Sequence, residues 1–349
     1  MSEGTALSRA ITIDRPGEHR LTHGPVVEPG PGEVRVRVAA AGICMSDREV
    51  YDGHRDPGYV HYPVVPGHEW SGTVEAVGAG VDPALLGRRT VAEGFRSCGS
   101  CERCRSAETS LCTSGYDETG FTRPGAFADH VVVPARLLHP LADDADLRAA
   151  ALLEPAAVVA AAVRAGSPEP GERIAVVGAG TLGMLAVQLL AAVSPRELTV
   201  IDPRDERARQ ALRFGASEAL APKEAAQTHG RYDLVVETAG AATTAADACL
   251  LARRGGRVVL TGMFAPGAVG IDPVHLSLSQ LTVRSVFGAS SASWSYAVRA
   301  FTAGLLDPAA LITHEFPLER FAEAVALVGG GAWGTGKVLL RPQGLPDPA

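Results

Sequence analysis

The sequence predicts an α/β protein in which a doubly wound parallel-sheet domain is inserted into a β-rich domain. Three observations carry this reading. At 349 residues the chain is too long for one ordinary core. Up to about Leu141 it reads as short strands between Gly/Pro turns, an all-β style. From about Arg173 apolar runs alternate with helical stretches, which implies βαβ units and a parallel sheet covered on both faces. The expected boundaries are 1–150 with 294–349 for the β-rich domain and 151–293 for the inserted one, with the cleft between them as the natural ligand site.

The elements follow in chain order. Glu33–Val38 and Thr73–Val77 alternate as half-buried strands. A Gly/Ser-containing loop then carries Cys98, Cys101, Cys104 and Cys112, and Ala149–Ala165 is alanine-rich. Ile174–Val177, Leu198–Ile201, Leu234–Glu237 and Arg257–Thr261 are the apolar runs expected to be parallel strands. After Trp294 come a helix-like stretch, a polar segment Ile312–Arg320 and a last strand, Gly336–Leu340.

Composition narrows the function classes. Apolar residues at 46% and charged residues at 20%, with 39 glycines and 24 prolines, describe a folded enzyme-like chain. A net charge of −7 without any Lys/Arg-rich block argues against a nucleic-acid partner. Met1–Arg9 lacks the apolar core of an export signal, so the expected location is cytoplasmic. Ile174–Val193 is long and apolar enough to span a bilayer, but Gly178, Gly180 and Gly183 interrupt it. A strand, a tight turn and a buried helix account for it better, and no membrane contact is expected.

Four cysteines with two short spacers and one longer spacer can wrap a tetrahedral zinc. A disulfide framework would need an oxidising compartment. An iron–sulfur cluster shares the two-residue spacers but lacks the proline that often follows a ferredoxin's last cysteine. A structural, closed zinc site is therefore expected here.

The second constellation follows the strand Ile174–Val177. Gly178-Ala179-Gly180-Thr181-Leu182-Gly183 opens a helix, and Asp202 lies nineteen residues beyond Gly183. A lone glycine triplet also fits helix packing, but this context predicts a Rossmann nucleotide site. Gly178 makes the turn, Gly180 admits the pyrophosphate, and Gly183 lets the helix pack on the sheet. Asp202 should accept from the adenosine ribose and repel a 2′-phosphate, which favours NAD over NADP; Arg204 and Arg207 lie close enough to weaken that preference. Thr238 and Gly262 end strands at the edge the cofactor crosses. Cys249 is expected to be core.

Taken singly, Cys44 reads as core and His68 as a turn histidine. Glu154, set among alanines and leucines, calls for a cation or a hydrogen-bonding partner, because a buried unpaired carboxylate is costly. Together they make a mixed ligand set with room for a further ligand, as a catalytic zinc requires.

In order and spacing, Gly42-Ile43-Cys44-Met45-Ser46-Asp47, Pro66-Gly67-His68-Glu69, the four-cysteine lobe, Leu153-Glu154-Pro155 and the glycine turn resemble the zinc-containing medium-chain dehydrogenases. The resemblance implies a GroES-like catalytic domain with a Rossmann insert, two zinc ions and homo-oligomers, dimeric or tetrameric. It implies Cys44, His68 and a glutamate, Glu69 or Glu154, at the catalytic metal, a proton path that starts at Ser46, and cofactor contacts from Thr181, Leu182 and Arg207. Two positions depart from the family pattern: Glu49 replaces the histidine that ends the proton path in many members, and Met45 replaces a glycine common in the polyol branch. Within the family the chain looks closest to the polyol, threonine and aminocyclitol branch. Tyr62–Gly72 and Gly120–Ala126 are similar to segments of 2-deoxy-scyllo-inosamine dehydrogenases of antibiotic biosynthesis, which oxidise a ring hydroxyl of an aminocyclitol. The expected substrate is a small polar alcohol, with Ser46, Glu69, Tyr51, His54, Arg123 and Glu154 crowding its cleft; L-threonine, sorbitol or a simple alcohol are the alternatives. A zinc-free reductase, a zinc-ribbon binding module and an inactive relative are the rival classes.

Overall fold

A computed structural model describes residues 7–264, 267–329 and 334–345, so most of the N-terminal stretch read for an export signal lies outside the described residues. The chain divides into two compact units. One comprises Met1–Glu154, Ser290–Ala292 and Pro308–Ala349; the other comprises Pro155–Ala289 and Ser293–Asp307.

The first unit opens with a hairpin of β1 (Leu7–Arg15) and β2 (Glu18–Pro25). Its main sheet contains β3 (Glu33–Ile43), β4 (Glu69–Val77), β5 (Arg89–Ala92), β6 (His130–Pro134) and β7 (Leu138–Pro140). In β3, Val34, Val36 and Val38 are fully buried at alternate positions, the period-two signature read from the sequence.

The second unit is a six-stranded, all-parallel sheet of β8 (Arg173–Val177), β9 (Glu197–Ile201), β10 (Glu218–Leu220), β11 (Tyr232–Glu237), β12 (Ala252–Leu260) and β13 (Thr282–Ser285). Its order, β10-β9-β8-β11-β12-β13, reverses between β8 and β11, and that switch point places the carboxyl ends of both strands beside the glycine turn. β8 and β11 are almost wholly buried apolar runs, as a sheet covered on both faces demands. Among the described residues no helix is long and apolar enough to cross a membrane.

The chain then returns to the first unit, where β14 (Ile312–Phe316) and β15 (Lys337–Leu340) extend the main sheet to the order β14-β15-β3-β4-β5-β7, with β6 on β3. The segment read as merely polar, Ile312–Arg320, thus contains an edge strand. Its outer groups reach solvent, so it needs no apolar alternation. Residues 294–307, grouped with the tail on sequence grounds, belong to the parallel-sheet unit. Trp294, Ala297 and Ala300 are buried there, and the Asp307 N–H donates to Gln188 Oε1 at 2.6 Å.

Glu315 on β14 ties the first unit together. It accepts from Arg148 at 2.6 and 2.8 Å and from Arg341 at 2.6 Å. Burial works against its ionisation, but the two guanidinium groups prevail and hold its carboxyl below the usual value. A depressed native pKa stabilises the fold fully above the unfolded value and loses that contribution as pH falls through the native one. Glu315→Gln should therefore cost about 1.5–3 kcal/mol near neutrality. The difference from the parent should vanish in acid, and melting curves from about pH 3 to 7 check it.

Candidate functional site

Cys44 directly follows β3 and is the N-cap of the helix Met45–Asp52. Its N–H donates to Asp47 Oδ2 at 2.8 Å, so the helix start and the cysteine are held by one carboxylate. The other oxygen, Asp47 Oδ1, faces His68 Nδ1 at 3.4 Å, and neither atom has another hydrogen-bond partner among the described residues. Asp47 is fully buried and His68 is 5% exposed. Burial alone would lower the His68 pKa, but Asp47 and Cys44 raise it well above the ordinary value.

The antiparallel register of β3 on β4 sets Gly42 opposite Glu69, and β15 on β3 sets Val338 opposite Ile43. These pairings bring Glu69, at the start of β4, against Lys337, at the start of β15, in an ion pair sealed from water. A Cβ at Gly42 would strike both the Glu69 carboxylate and the Lys337 stem, so only glycine leaves them room. Burial would lower the Lys337 pKa, but the charges of Glu69 and Cys44 raise it.

One ligand atom each from Cys44, His68 and Glu69 lies within 4.8 Å of the others. Glu154, expected as the alternative ligand, stands outside that set but within its field. Burial first, then Glu69 and Glu118, push its carboxyl up to about 8, against the pull of His68 and Lys337. A thiol, an imidazole and a carboxylate converging on one point suit a divalent cation. Ser46 Oγ lies 3.5 Å from His68 Nε2. Glu49 is one helical turn further on, and its side chain is 38% exposed.

The four lobe cysteines also place their sulfurs within 4.8 Å of one another, and all are free thiols. Hydrogen bonds from Ser114 and Ser100 pull Cys98 down to about 4, and those from Thr113 and the Cys104 backbone pull Cys101 to about 7. Burial and the adjoining sulfurs push Cys104 up to about 11. So close a cluster holds several thiolates only around a cation, and four sulfurs leave it no open position. Cys249 is 1% exposed in the core and burial pushes its thiol up to about 11.

At the carboxyl edge of the parallel sheet, Gly178 has φ 102°, where a side chain is strained, and a Cβ at Gly183 would strike the Gly178 carbonyl. A Cβ at Gly180 would meet nothing within 4 Å, so the approach to the helix Thr181–Ala191 is open, and the N–H groups of Thr181 and Leu182 lie in its first turn. Thr238 Oγ1 donates to the Val177 and Gly178 carbonyls at 2.9 and 3.2 Å, bracing the turn. Gly262 packs against Gly240 and the fully buried Glu237, whose Oε1 accepts from Ala239, Gly240 and Thr244.

Asp202 is held by donors of the chain itself. Its Oδ1 accepts from the Arg204 backbone and Nε, both at 2.9 Å, and its Oδ2 from the Ala179 N–H at 2.8 Å and Arg204 Nη2 at 3.0 Å. Burial opposes ionisation, but these donors hold the carboxyl below its usual value. The acid is thus shared with a half-exposed guanidinium. Arg207 lies near enough for Arg204 to lower its pKa, after the larger effect of burial.

Comparison with known proteins agrees with this architecture. Residues 30–143 match the alcohol dehydrogenase GroES-like domain and residues 181–303 the zinc-binding dehydrogenase family. The chain is 30% identical to the starvation-sensing protein RspB of Escherichia coli over 91% of its own length and 95% of the relative's. It is 31% identical to an L-threonine 3-dehydrogenase of Anaeromyxobacter dehalogenans, over 90% and 93%. The chain belongs to the zinc-dependent medium-chain dehydrogenases. Among solved structures, a zinc-binding dehydrogenase of Sinorhizobium meliloti bound to NADP superposes with TM-score 0.90 at 27% identity, covering 97% of this chain and all of that one. An Escherichia coli alcohol dehydrogenase complexed with NADH gives 0.90 at 29%, with the same coverage.

Three residues expected at this dehydrogenase's substrate have local surroundings of their own. Tyr51 packs edge-on against His19 and Phe321, His54 is exposed, and Arg123 pairs with Asp117 at the surface. Sequence reasoning did not single out Lys337, Arg55, Tyr116 or a site role for Glu118. Asp47 had a signal, since an acid three residues after an N-cap is the capping-box spacing. Lys337 had none, because its partner is remote in the chain.

Two outcomes follow for this site. Asp47→Asn removes the charge facing His68 and should weaken metal retention by about 10–100-fold, measured by chelator competition. Arg204→Ala should release Asp202 and sharpen preference for NAD over NADP by roughly tenfold, the worth of one charge-assisted contact, whereas Asp202→Ala should move it the other way. If kcat/KM for both cofactors is unmoved by either change, the carboxylate does not read the ribose.

Proposed function

We propose that this dehydrogenase oxidises a secondary hydroxyl of a polyol, cyclitol or aminocyclitol to the ketone and passes the hydride to NAD. The observation that carries the reading is the convergence of Cys44, His68 and Glu69 on one point, with Glu154 in its field. These residues would hold the catalytic zinc, and the four lobe cysteines a structural one. Bound there, zinc acts as a Lewis acid that lowers the pKa of the substrate hydroxyl. Asp47 orients His68 through Nδ1, and the Glu69–Lys337 pair keeps a buried negative charge beside the metal site without exposing it to water. Ser46 Oγ takes the hydroxyl proton first, and Glu49, half-exposed one helical turn later, delivers it to solvent in place of the family's histidine. NAD would lie across the carboxyl edge of the parallel sheet with its pyrophosphate at the Thr181–Ala191 N-terminus. The polar, acid-rich surroundings of His68 favour a substrate with several hydroxyls over an aliphatic one. The L-threonine 3-dehydrogenase relatives keep L-threonine as the second reading.

Self-association is part of the same proposal. β13 ends the parallel sheet, and the helix before it, Pro273–Ser279, exposes Val274 by 62% and Leu278 by 71%. An unpaired strand edge beside apolar side chains suits a second copy of the chain.

Elemental analysis should find two zinc ions per chain. Cys44→Ser should abolish turnover while the melting temperature stays near the parent's; Cys104→Ser should lower the melting temperature first. NADH formation on a panel of cyclitols, sorbitol, L-threonine and 2-butanol decides the substrate class. Preference for 2-butanol would defeat the polyol reading and leave the family untouched.

A further inference from the structure

Arg55, which nothing above assigns to the reaction, lies in the first unit with its side chain only 11% exposed. A guanidinium carries five N–H donors, and burying them without acceptors is costly. Nη2 donates to Tyr116 Oη at 3.2 Å. Nη1 has Glu49 Oε2 at 3.8 Å, beyond hydrogen-bond reach, and Nε is buried with no partner among the described residues. The cation is nonetheless firmly seated. Its Cζ lies 4.2 Å from the centroid of the Phe121 ring, a cation–π distance, and Tyr116 in turn donates its hydroxyl to Glu118.

The group borders the proposed reaction site. The Phe121 ring that Arg55 covers packs against His68, centroid to centroid at 4.8 Å. Glu118, 6% exposed, feels the charges of His68 and Asp47, and Glu154 feels Glu118. A purely structural arginine in such a place would be saturated, as Arg148 and Arg341 are by Glu315.

We propose that Arg55 is the specificity-determining residue for a polyhydroxylated substrate. Its unfilled N–H groups donate to a substrate hydroxyl other than the one oxidised, while Tyr116 and Glu118 are positioning residues that hold the guanidinium in register. Resting on the polyol reading, this names the side chain that enforces it. A hydroxylated substrate supplies the missing acceptor, and an aliphatic alcohol leaves the buried donors unpaired. The selectivity follows from that difference.

The test compares kcat and KM of the zinc- and NAD-loaded enzyme for myo-inositol and 2-butanol, in the parent, Arg55→Met and Tyr116→Phe. Arg55→Met should lower the kcat/KM ratio of myo-inositol to 2-butanol by on the order of tenfold to a hundredfold, mainly through KM. Tyr116→Phe keeps the arginine but cuts its link to Glu118, and should move the ratio the same way by less. It also keeps the question open to measurement if Arg55→Met does not fold. A parent that prefers myo-inositol, with ratios unchanged in the folded variants or with both substrates losing equally, would overturn the role of Arg55 and leave the polyol reading standing. A parent that prefers 2-butanol overturns the reading and the assignment together.

Discussion

Everything at the candidate reaction site depends on a buried cation and anion, Lys337 and Glu69, pressed together beneath Cys44 and His68. Taking such charges out of water is expensive, and their attraction offsets the loss only when the surroundings hold them rigidly. The sheet provides that rigidity. β3 lies between β4 and β15, and the two antiparallel registers leave Gly42 as the one point where both side chains must pass. A change of register by a single residue would turn Glu69 to the opposite face. The thiol, the imidazole and the carboxylate meet because three backbone segments are locked in step.

Around that pair the charge distribution is unbalanced in a useful way. Glu154 and Glu118 are both pushed toward the neutral acid by burial, and Asp47 is wholly enclosed. Acids crowded this closely favour a metal cation over the protons they would otherwise need, which couples metal binding to the stability of the first unit. The lobe cysteines repeat the principle at a smaller scale with thiols that differ widely in acidity before any metal is considered. The second unit solves a different problem with backbone. Its glycine turn is shaped by the carbonyl of Gly178 and braced by Thr238, so the nucleotide edge depends on close approach of main chains rather than on charge.

The local features were legible in the sequence. Metal-ligand residue types at fixed short spacings, a glycine triplet between a strand and a helix, and apolar runs of period two or of continuous burial each express physics that acts within a few residues. From these the sequence by itself determined the two-part architecture, the four-cysteine lobe, Cys44 and His68 as candidate ligands, and the glycine turn after β8. Tertiary structure decided the rest. It selected Glu69 over Glu154 for the compact ligand group through strand register, and it closed Arg204 over Asp202 through a rotamer no periodicity encodes. It also made a strand of Ile312–Phe316, moved residues 294–307 onto the parallel-sheet unit, and assembled Arg55, Tyr116 and Glu118 from distant stretches of chain. The reason is common to all of these: which remote segments become neighbours is settled by packing and pairing of the whole sheet, and a partner's charge or shape leaves no mark on the local pattern of the residue it will meet.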